Sequence, residues 1–272
     1  MKNPTIRQGH GPFHADQLRS GDPYELSNGH PIQCLPTGGR GSKANLIGGL
    51  VLGTDPDVES AGVDTGYAPT PGTLRAPDVA VGNVPDAPGW VAGAPPLALE
   101  YADTGQDEAD LALKISELLA AGTRYVWVVR LTGPRRVEVH ESGQAMRVCY
   151  PGDWLEAPGI LRNRFLVESL YDPQAAATAA LRNLLQRQGY RDLDEVRGEG
   201  RTEGKAEGRT EGRAEGAVES LRGAVLEVLD GRGMIADAAT RARLERCADP
   251  AQLRHWLRRA ATLDDAADLF DA

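Results

Sequence analysis

Apolar and polar positions begin to alternate at Tyr24. From there to Leu35 the alternation runs on both sides of Asn28-Gly29, a pair that tolerates the left-handed backbone of a two-residue turn, so a two-stranded hairpin is predicted. The preceding stretch, residues 1–21, is polar and aperiodic and reads as a flexible lead-in. Ser42 to Leu52 has the apolar spacing of a helix, weakened by Gly48-Gly49, and Thr54 to Thr73 is loop-like, rich in Asp, Gly and Pro. Two short apolar runs follow, Ala76 to Gly82 and Pro95 to Tyr101, each opened by proline and each carrying one acid. Both are predicted strands. Leu111, Ile115, Leu118 and Leu119 then recur at helical spacing within Asp107 to Ala121, with Gly122 as the stop. Tyr125 to Val129 is apolar throughout, the mark of a strand buried on both faces, whereas Arg136 to Glu141 alternates strictly and should be half-exposed. Strand, strand, helix, strand, strand predicts a mixed α/β core over residues 22–172.

Past Pro173 the pattern becomes helical. Ala175 to Gln188 carries one apolar stripe, within a helical stretch ending near Arg197, and a tract of period four then runs from Gly198 to Gly216 with glycine at every fourth position. Its acids are expected along one stripe with bases beside them, and each glycine costs about 1 kcal/mol of helix stability relative to alanine. A marginal helix or flexible spacer is predicted. Residues 217–272 hold four short amphipathic segments, Val218 to Leu229, Ala236 to Cys247, Pro250 to Ala261 and Leu263 to Phe270. Their stripes, Leu221, Val225, Val228 and Leu229 on one and Leu253, Trp256 and Leu257 on another, need burial, either in an intrachain bundle or through self-association or a protein partner.

Charge narrows the function classes. Lysine and arginine number 30 against 39 acids, a formal charge of −9, which argues against coating nucleic acid by charge alone. An enzyme that meets phosphate through a bound metal remains compatible with it. Cys34, Cys149 and Cys247 are too scattered for a disulfide framework or a zinc site. The opening residues lack the apolar core of a signal peptide, and the longest early apolar run, Leu46 to Leu52, is far short of the ~20 residues a membrane helix needs. A soluble cytoplasmic protein without membrane association is expected.

Asp78 and Glu100 are the informative acids, because a carboxylate within an apolar strand demands a cation or hydrogen-bond donors. Lys114 borders the apolar face of the next helix. Two carboxylates and a converging lysine suit a hard divalent cation and phosphodiester chemistry. The same residues are also compatible with a turn cap at Asp78, an exposed strand end at Glu100 and a surface pair between Lys114 and Asp110. Elsewhere, Gly38 to Lys43 has the glycines of a phosphate loop in the wrong order and reads as a turn before a helix. The five histidines lack ligand spacing, Cys149 has no nucleophile context, and Trp127 reads as core.

The series Arg75-Ala76-Pro77-Asp78-Val79-Ala80-Val81, Leu97-Ala98-Leu99-Glu100, Asp110-Leu111-Ala112-Leu113-Lys114 and Ala121 to Val129 resembles, in order and spacing, the Uma-two type of restriction endonuclease, a bacterial branch of the PD-(D/E)xK nuclease superfamily. Tyr24 to Gly29, Pro36-Thr37-Gly38 and Gly62 to Tyr67 are similar to that family's opening, so the resemblance spans roughly Asp22 to Tyr171. It implies a restriction-endonuclease-like mixed sheet flanked by helices, and the residue pattern adds the α-helical C-terminal region, with a coiled coil as one form its assembly would take. It also implies that Asp78 and Glu100 hold Mg2+ or Mn2+. Lys114 would be the catalytic lysine displaced onto a helix, since position 102 is Ala102, and Glu25 would complete the site from the opposite side. The activity implied is metal-dependent hydrolysis of DNA. The sequence departs from the family at Tyr101 to Thr104 and around Gly41 to Lys43. The alternative reading is an inactive nuclease fold that uses its helical tail for oligomerisation or partner binding.

Overall fold

The computed structural model describes residues 11–270, and the chain divides into two compact units, residues 1–193 and 194–272. The first unit begins with β1 (Tyr24–Ser27), β2 (His30–Gln33) and α1 (Gly39–Gly53), followed by β3 (Ala61–Val63), β4 (Tyr67–Thr70), β5 (Thr73–Arg75), β6 (Val79–Val81) and β7 (Val91–Ala92). After these come β8 (Leu97–Ala102), α2 (Glu108–Ala120), β9 (Tyr125–Arg130), β10 (Arg136–Glu141), β11 (Arg147–Cys149), β12 (Trp154–Leu155), β13 (Phe165–Leu166) and α3 (Pro173–Arg187). The strands form a six-stranded mixed sheet, β11-β10-β9-β8-β6-β3, a five-stranded sheet, β2-β1-β5-β4-β7, and the pair β12-β13. Only β8 with β9 runs parallel in the larger sheet, because α2 carries the chain back between them.

The hairpin forms as its turn chemistry predicts, with Asn28 and Gly29 at φ 47° and 78° and Tyr24 paired to Gln33. Period two explains how the central strand serves two layers. Leu97, Leu99 and Tyr101 of β8 join Trp127 and Val129 of β9 against Ile47, Val51 and Leu52 of α1. Ala98 and Ala102 join Val126 and Val128 against Leu111, Ile115 and Leu118 of α2. Glu100 has the parity of the α2 face. Gly48, a weakness in the sequence pattern, is required by this packing: a Cβ there would run into the Tyr101 hydroxyl and lie 2.7 Å from Leu99 Cδ2. Helix α1 therefore sits closer to β8 than any side chain at 48 permits. Asp107 caps α2 through the amides of Ala109 and Asp110, and Gly122 ends it at φ 107°.

Four expectations change. Residues 1–10 of the lead-in lie outside the described residues, but Phe13, Ala15 and Leu18 are buried with Leu26 and Leu74 in an apolar cluster, so the segment from Phe13 to Leu18 is packed rather than flexible. Strand β10 is more buried than its alternation suggests, because Glu138 turns inward between Arg130 and Arg136. Helix α3 belongs to the first unit: Asn183 donates to the Val51 carbonyl at 3.1 Å, and Arg187 donates to the carbonyls of Gly53, Thr54, Asp55 and Val58 at the end of α1.

The fourth concerns the tail. The second unit contains all but the first residue of α4 (Leu193–Gly231), which passes unbroken through the repeat, then α5 (Ala238–Arg246) and α6 (Pro250–Ala260). The repeat is the helical one of its two expected forms. Its side chains are exposed from Gly198 to Gly216, and the acids and bases do not share a stripe. They alternate at intervals of two residues, about 200° around the helix, so among the described residues the repeat forms no ion pair. Val225 and Leu229 of α4 pack with Leu244, Leu253, Trp256 and Leu269, with Leu221, Val228 and Leu257 at the margin. Trp256 meets Phe270 edge to face at 4.8 Å. Both apolar stripes are thus covered within the chain, and an oligomer or protein partner is not needed to bury them.

Candidate active site

Glu25, Glu100 and Lys114 meet at one point, where β1, β8 and α2 approach. Glu100 leaves β8 on the α2 face, and Lys114 lies one turn beyond Leu111 on the helix side turned to the sheet. Its Nζ stands 2.9 Å from Glu100 Oε1 and 3.0 Å from Glu25 Oε1, and donates to the Ala76 carbonyl at 2.7 Å and to Glu100 Oε2 at 3.1 Å. Lys114 pairs with these groups rather than with Asp110. Asp78 stands just before β6, where its Oδ2 accepts from the Tyr101 amide at 2.6 Å and its Oδ1 from Asn45 Nδ2 at 3.0 Å. All four residues expected from the sequence are therefore grouped in the interior of the first unit, and Asp78 and Glu100 feel one another's charge.

Electrostatics sort the acids by their company. Burial alone would raise the Glu25 carboxyl, but Lys114 and Arg75 together hold it below its ordinary value. Glu100 is buried equally deeply, shares a single cation and faces Asp78 and Glu25, so burial wins and its pKa is pushed up to about 8. Lys114 goes up as well: desolvation opposes its charge, and Glu100, Glu25 and Asp78 more than restore it. The ammonium form is thereby fixed. Lys114 is a donor and a local positive charge, not a proton acceptor.

Sequence reasoning missed the surrounding partners. Arg75 is 2% exposed and donates to Glu25 Oε2 at 3.0 Å and to Glu117 Oε2 at 2.5 Å, while Ser27 Oγ donates to Glu117 Oε1 at 2.5 Å. The available signals were Glu117 three residues after Lys114 on one helix face, and Asn45, a polar residue on the apolar stripe of α1. Asp64 also borders the group. Its backbone is left-handed at φ 52°, and burial and the charge of Asp78 push its carboxyl up.

The carboxylates gathered here are of the chemical type that a hard divalent cation takes. Among the described residues, Glu25, Asp78, Glu100 and Glu117 meet two cations, Lys114 and Arg75, an excess of two negative charges when all four acids are ionised. Glu100 Oε1 lies near Lys114 but outside hydrogen-bond alignment, a buried oxygen without a donor. Carboxylate oxygens suit Mg2+, which keeps several waters and needs only one or two protein carboxylates. Among the described residues, no group of three or more His, Cys, Asp or Glu side chains is placed to hold a metal ion together.

The weaker candidates resolve as structure. Gly38 caps α1, and Arg40 within the Gly38 to Lys43 segment pairs with Asp103. Cys34, Cys149 and Cys247 are free thiols; Cys34 is exposed, and partial desolvation together with the charge of Glu25 raises its thiol, away from nucleophilic use. Trp127 is fully buried core. Among the described residues, no helix is long and apolar enough to cross a membrane.

Comparison with known proteins agrees with this architecture. The crystal structure of a "putative nuclease" from Anabaena variabilis superposes with a TM-score of 0.51 at 18% identity, covering 60% of this chain and 99% of that one, which establishes a shared fold. No similar protein was found among curated sequences. The model of the Uma2 family, described as "Putative restriction endonuclease", matches residues 13–166. With more than half its length matched, and with a mixed sheet flanked by helices, the chain belongs to the Uma2 family of restriction-endonuclease-like proteins.

Proposed function

We propose that this protein is a metal-dependent endonuclease that hydrolyses DNA phosphodiester bonds, with Asp78 and Glu100 holding Mg2+ or Mn2+ and Lys114 and Glu25 completing the catalytic group. The observation that carries this reading is the meeting of Lys114 with Glu25 and Glu100, beside Asp78, inside a nuclease-type fold.

When bound, the ion would supply Lewis-acid activation of water and neutralise charge on the phosphoryl group. The side chains do the rest. Asn45 and the Tyr101 amide fix both oxygens of Asp78, so its remaining lone pairs keep one orientation. In the metal-free protein burial raises the Glu100 carboxyl to about 8, so it relieves the negative excess there by holding a proton, which it would give up on binding a cation. Lys114 is permanently charged and can share the charge that develops on a phosphoryl oxygen or orient the attacking water. In hydrolysis the water oxygen bonds to phosphorus as the water gives up a proton to solvent, the bond to the leaving sugar oxygen breaks, and that oxygen takes up a proton in turn. Glu25 restrains Lys114 from the far side.

Titration calorimetry with Mg2+ and Mn2+ tests the ligand assignment. Asp78→Asn and Glu100→Gln each remove one negative ligand at nearly constant volume, and each should weaken binding at least tenfold while the fold persists by circular dichroism. Unchanged affinity in both variants would overturn the assignment.

A further inference from the structure

We infer that Arg75 and Glu117 are positioning residues: they brace Glu25, and through Glu25 they set how Lys114 is divided between Glu25 and Glu100. The role in catalysis rests on the nuclease reading above, whereas the brace itself is a property of the folded chain.

Two residues of β1 face two residues of α2. Glu25 and Ser27 share one face of the strand because they are two apart, and Lys114 and Glu117 share one face of the helix because they are three apart. Lys114 binds Glu25 at one corner, and Ser27 binds Glu117 at the other. Arg75 lies across the frame. Its planar guanidinium reaches Glu117 through Nε and Glu25 through Nη1, a fork that a lysine cannot reproduce. Its Nη2 is buried with no partner, so these two carboxylates are the groups that compensate this charge. The next residue extends the brace, since Ala76 donates its amide to Glu25 Oε1 at 3.3 Å and accepts from Lys114 through its carbonyl.

Both oxygens of Glu25 are thereby assigned, Oε2 to Arg75 and Oε1 to Lys114 and Ala76. Without Arg75, Glu25 would retain Lys114 as its one cation and draw the ammonium away from Glu100. That mechanism makes a prediction a simple packing role does not. Arg75 and Lys114 bond different oxygens of Glu25, so a large part of the coupling between their contributions to stability should pass through that carboxylate.

Thermal melts of the full chain test this with Arg75→Met, Lys114→Met and the double variant, each also made on Glu25→Gln. The double variant should lose more melting temperature than the two single losses together, and the excess should fall by at least half on Glu25→Gln. Additive losses, or an excess unchanged on Glu25→Gln, would overturn the brace whether or not the protein cleaves DNA. Arg75→Lys keeps the charge without the fork and stands in where Arg75→Met does not fold. Its kcat on plasmid should fall at least tenfold with KM within twofold of the unsubstituted chain, and an unchanged kcat would overturn the positioning role. An unsubstituted chain that cleaves nothing contradicts the proposed function alone and leaves the coupling result to decide the brace.

Discussion

The molecule carries two dense sets of acids and bases, and they behave in opposite ways. Around Lys114 the charges are buried, each contact is made by a named partner, and pKa values move with burial and neighbouring charge. Along α4 between Gly198 and Gly216 the charges are more numerous, fully in solvent and without a single ion pair among the described residues. Residue type is the same in both. What differs is spacing and dielectric: an acid and a hydroxyl two apart on β1, Glu25 and Ser27, and a cation and an acid three apart on α2 converge, whereas acids and bases two apart on a helix point to opposite sides. Charge density in a sequence therefore says little until the element that presents it is known.

Lys114→Met should break this contrast most. Removing one partner of a buried ion pair leaves Glu25 and Glu100 facing one another and Asp78, a loss expected at about 3–5 kcal/mol. Urea unfolding near pH 8 followed through the first unit would show it, and a loss below about 1 kcal/mol would place the group in a solvent-like environment.

Glu100→Gln sharpens the contrast through pH. The folded-state value of about 8 lies above the ordinary carboxyl value, so the protonated form contributes stability that is fully present below about pH 4.5 and lost as pH rises through 8. Glutamine has no such proton to lose. The variant should gain on the unsubstituted protein progressively between pH 5 and pH 8 in metal-free urea melts, and parallel curves would contradict the shift. Glu25, held low, contributes its own dependence below this window.

In the repeat the expected effects shrink. Gly208→Ala meets open space and an unstrained helix, so it should stabilise α4 by roughly 1 kcal/mol. Circular dichroism at 222 nm during a melt reports it, and destabilisation would mean that the helix is not the resident form. Glu207→Gln should change stability by less than about 0.5 kcal/mol, because an exposed charge without a partner contributes little.

These differences explain what the sequence disclosed. The hairpin, β8, α2 and β9 were legible because turn chemistry, parity and helical spacing act locally, and Asp78, Glu100 and Lys114 stood out as charges in apolar runs. Glu25 was reached through family resemblance rather than pattern. Arg75 and Asn45 gave weaker local cues, since their roles depend on contacts across 50 and 33 residues respectively. The packing of Phe13 and Leu18 was likewise invisible, because an aperiodic segment shows no face until a cluster receives it. In the tail, periodicity located the helical stretches at Val218 to Leu229, Ala236 to Cys247 and Pro250 to Ala261, whereas Leu263 to Phe270 forms only a 3-10 helix over Ala266–Phe270, and what covered the stripes was left open, a question only tertiary structure answers.

The central claim is that the buried group around Lys114 performs phosphodiester hydrolysis. Supercoiled plasmid and single-stranded DNA incubated with the full chain in Mg2+, beside Lys114→Ala and Asp78→Asn that retain their circular dichroism spectra, test it most directly. Cleavage by the unsubstituted protein that stops on chelation and falls at least a hundredfold in both variants is the predicted result. Cleavage that persists in both folded variants, or none by the unsubstituted chain in either Mg2+ or Mn2+, would contradict the account.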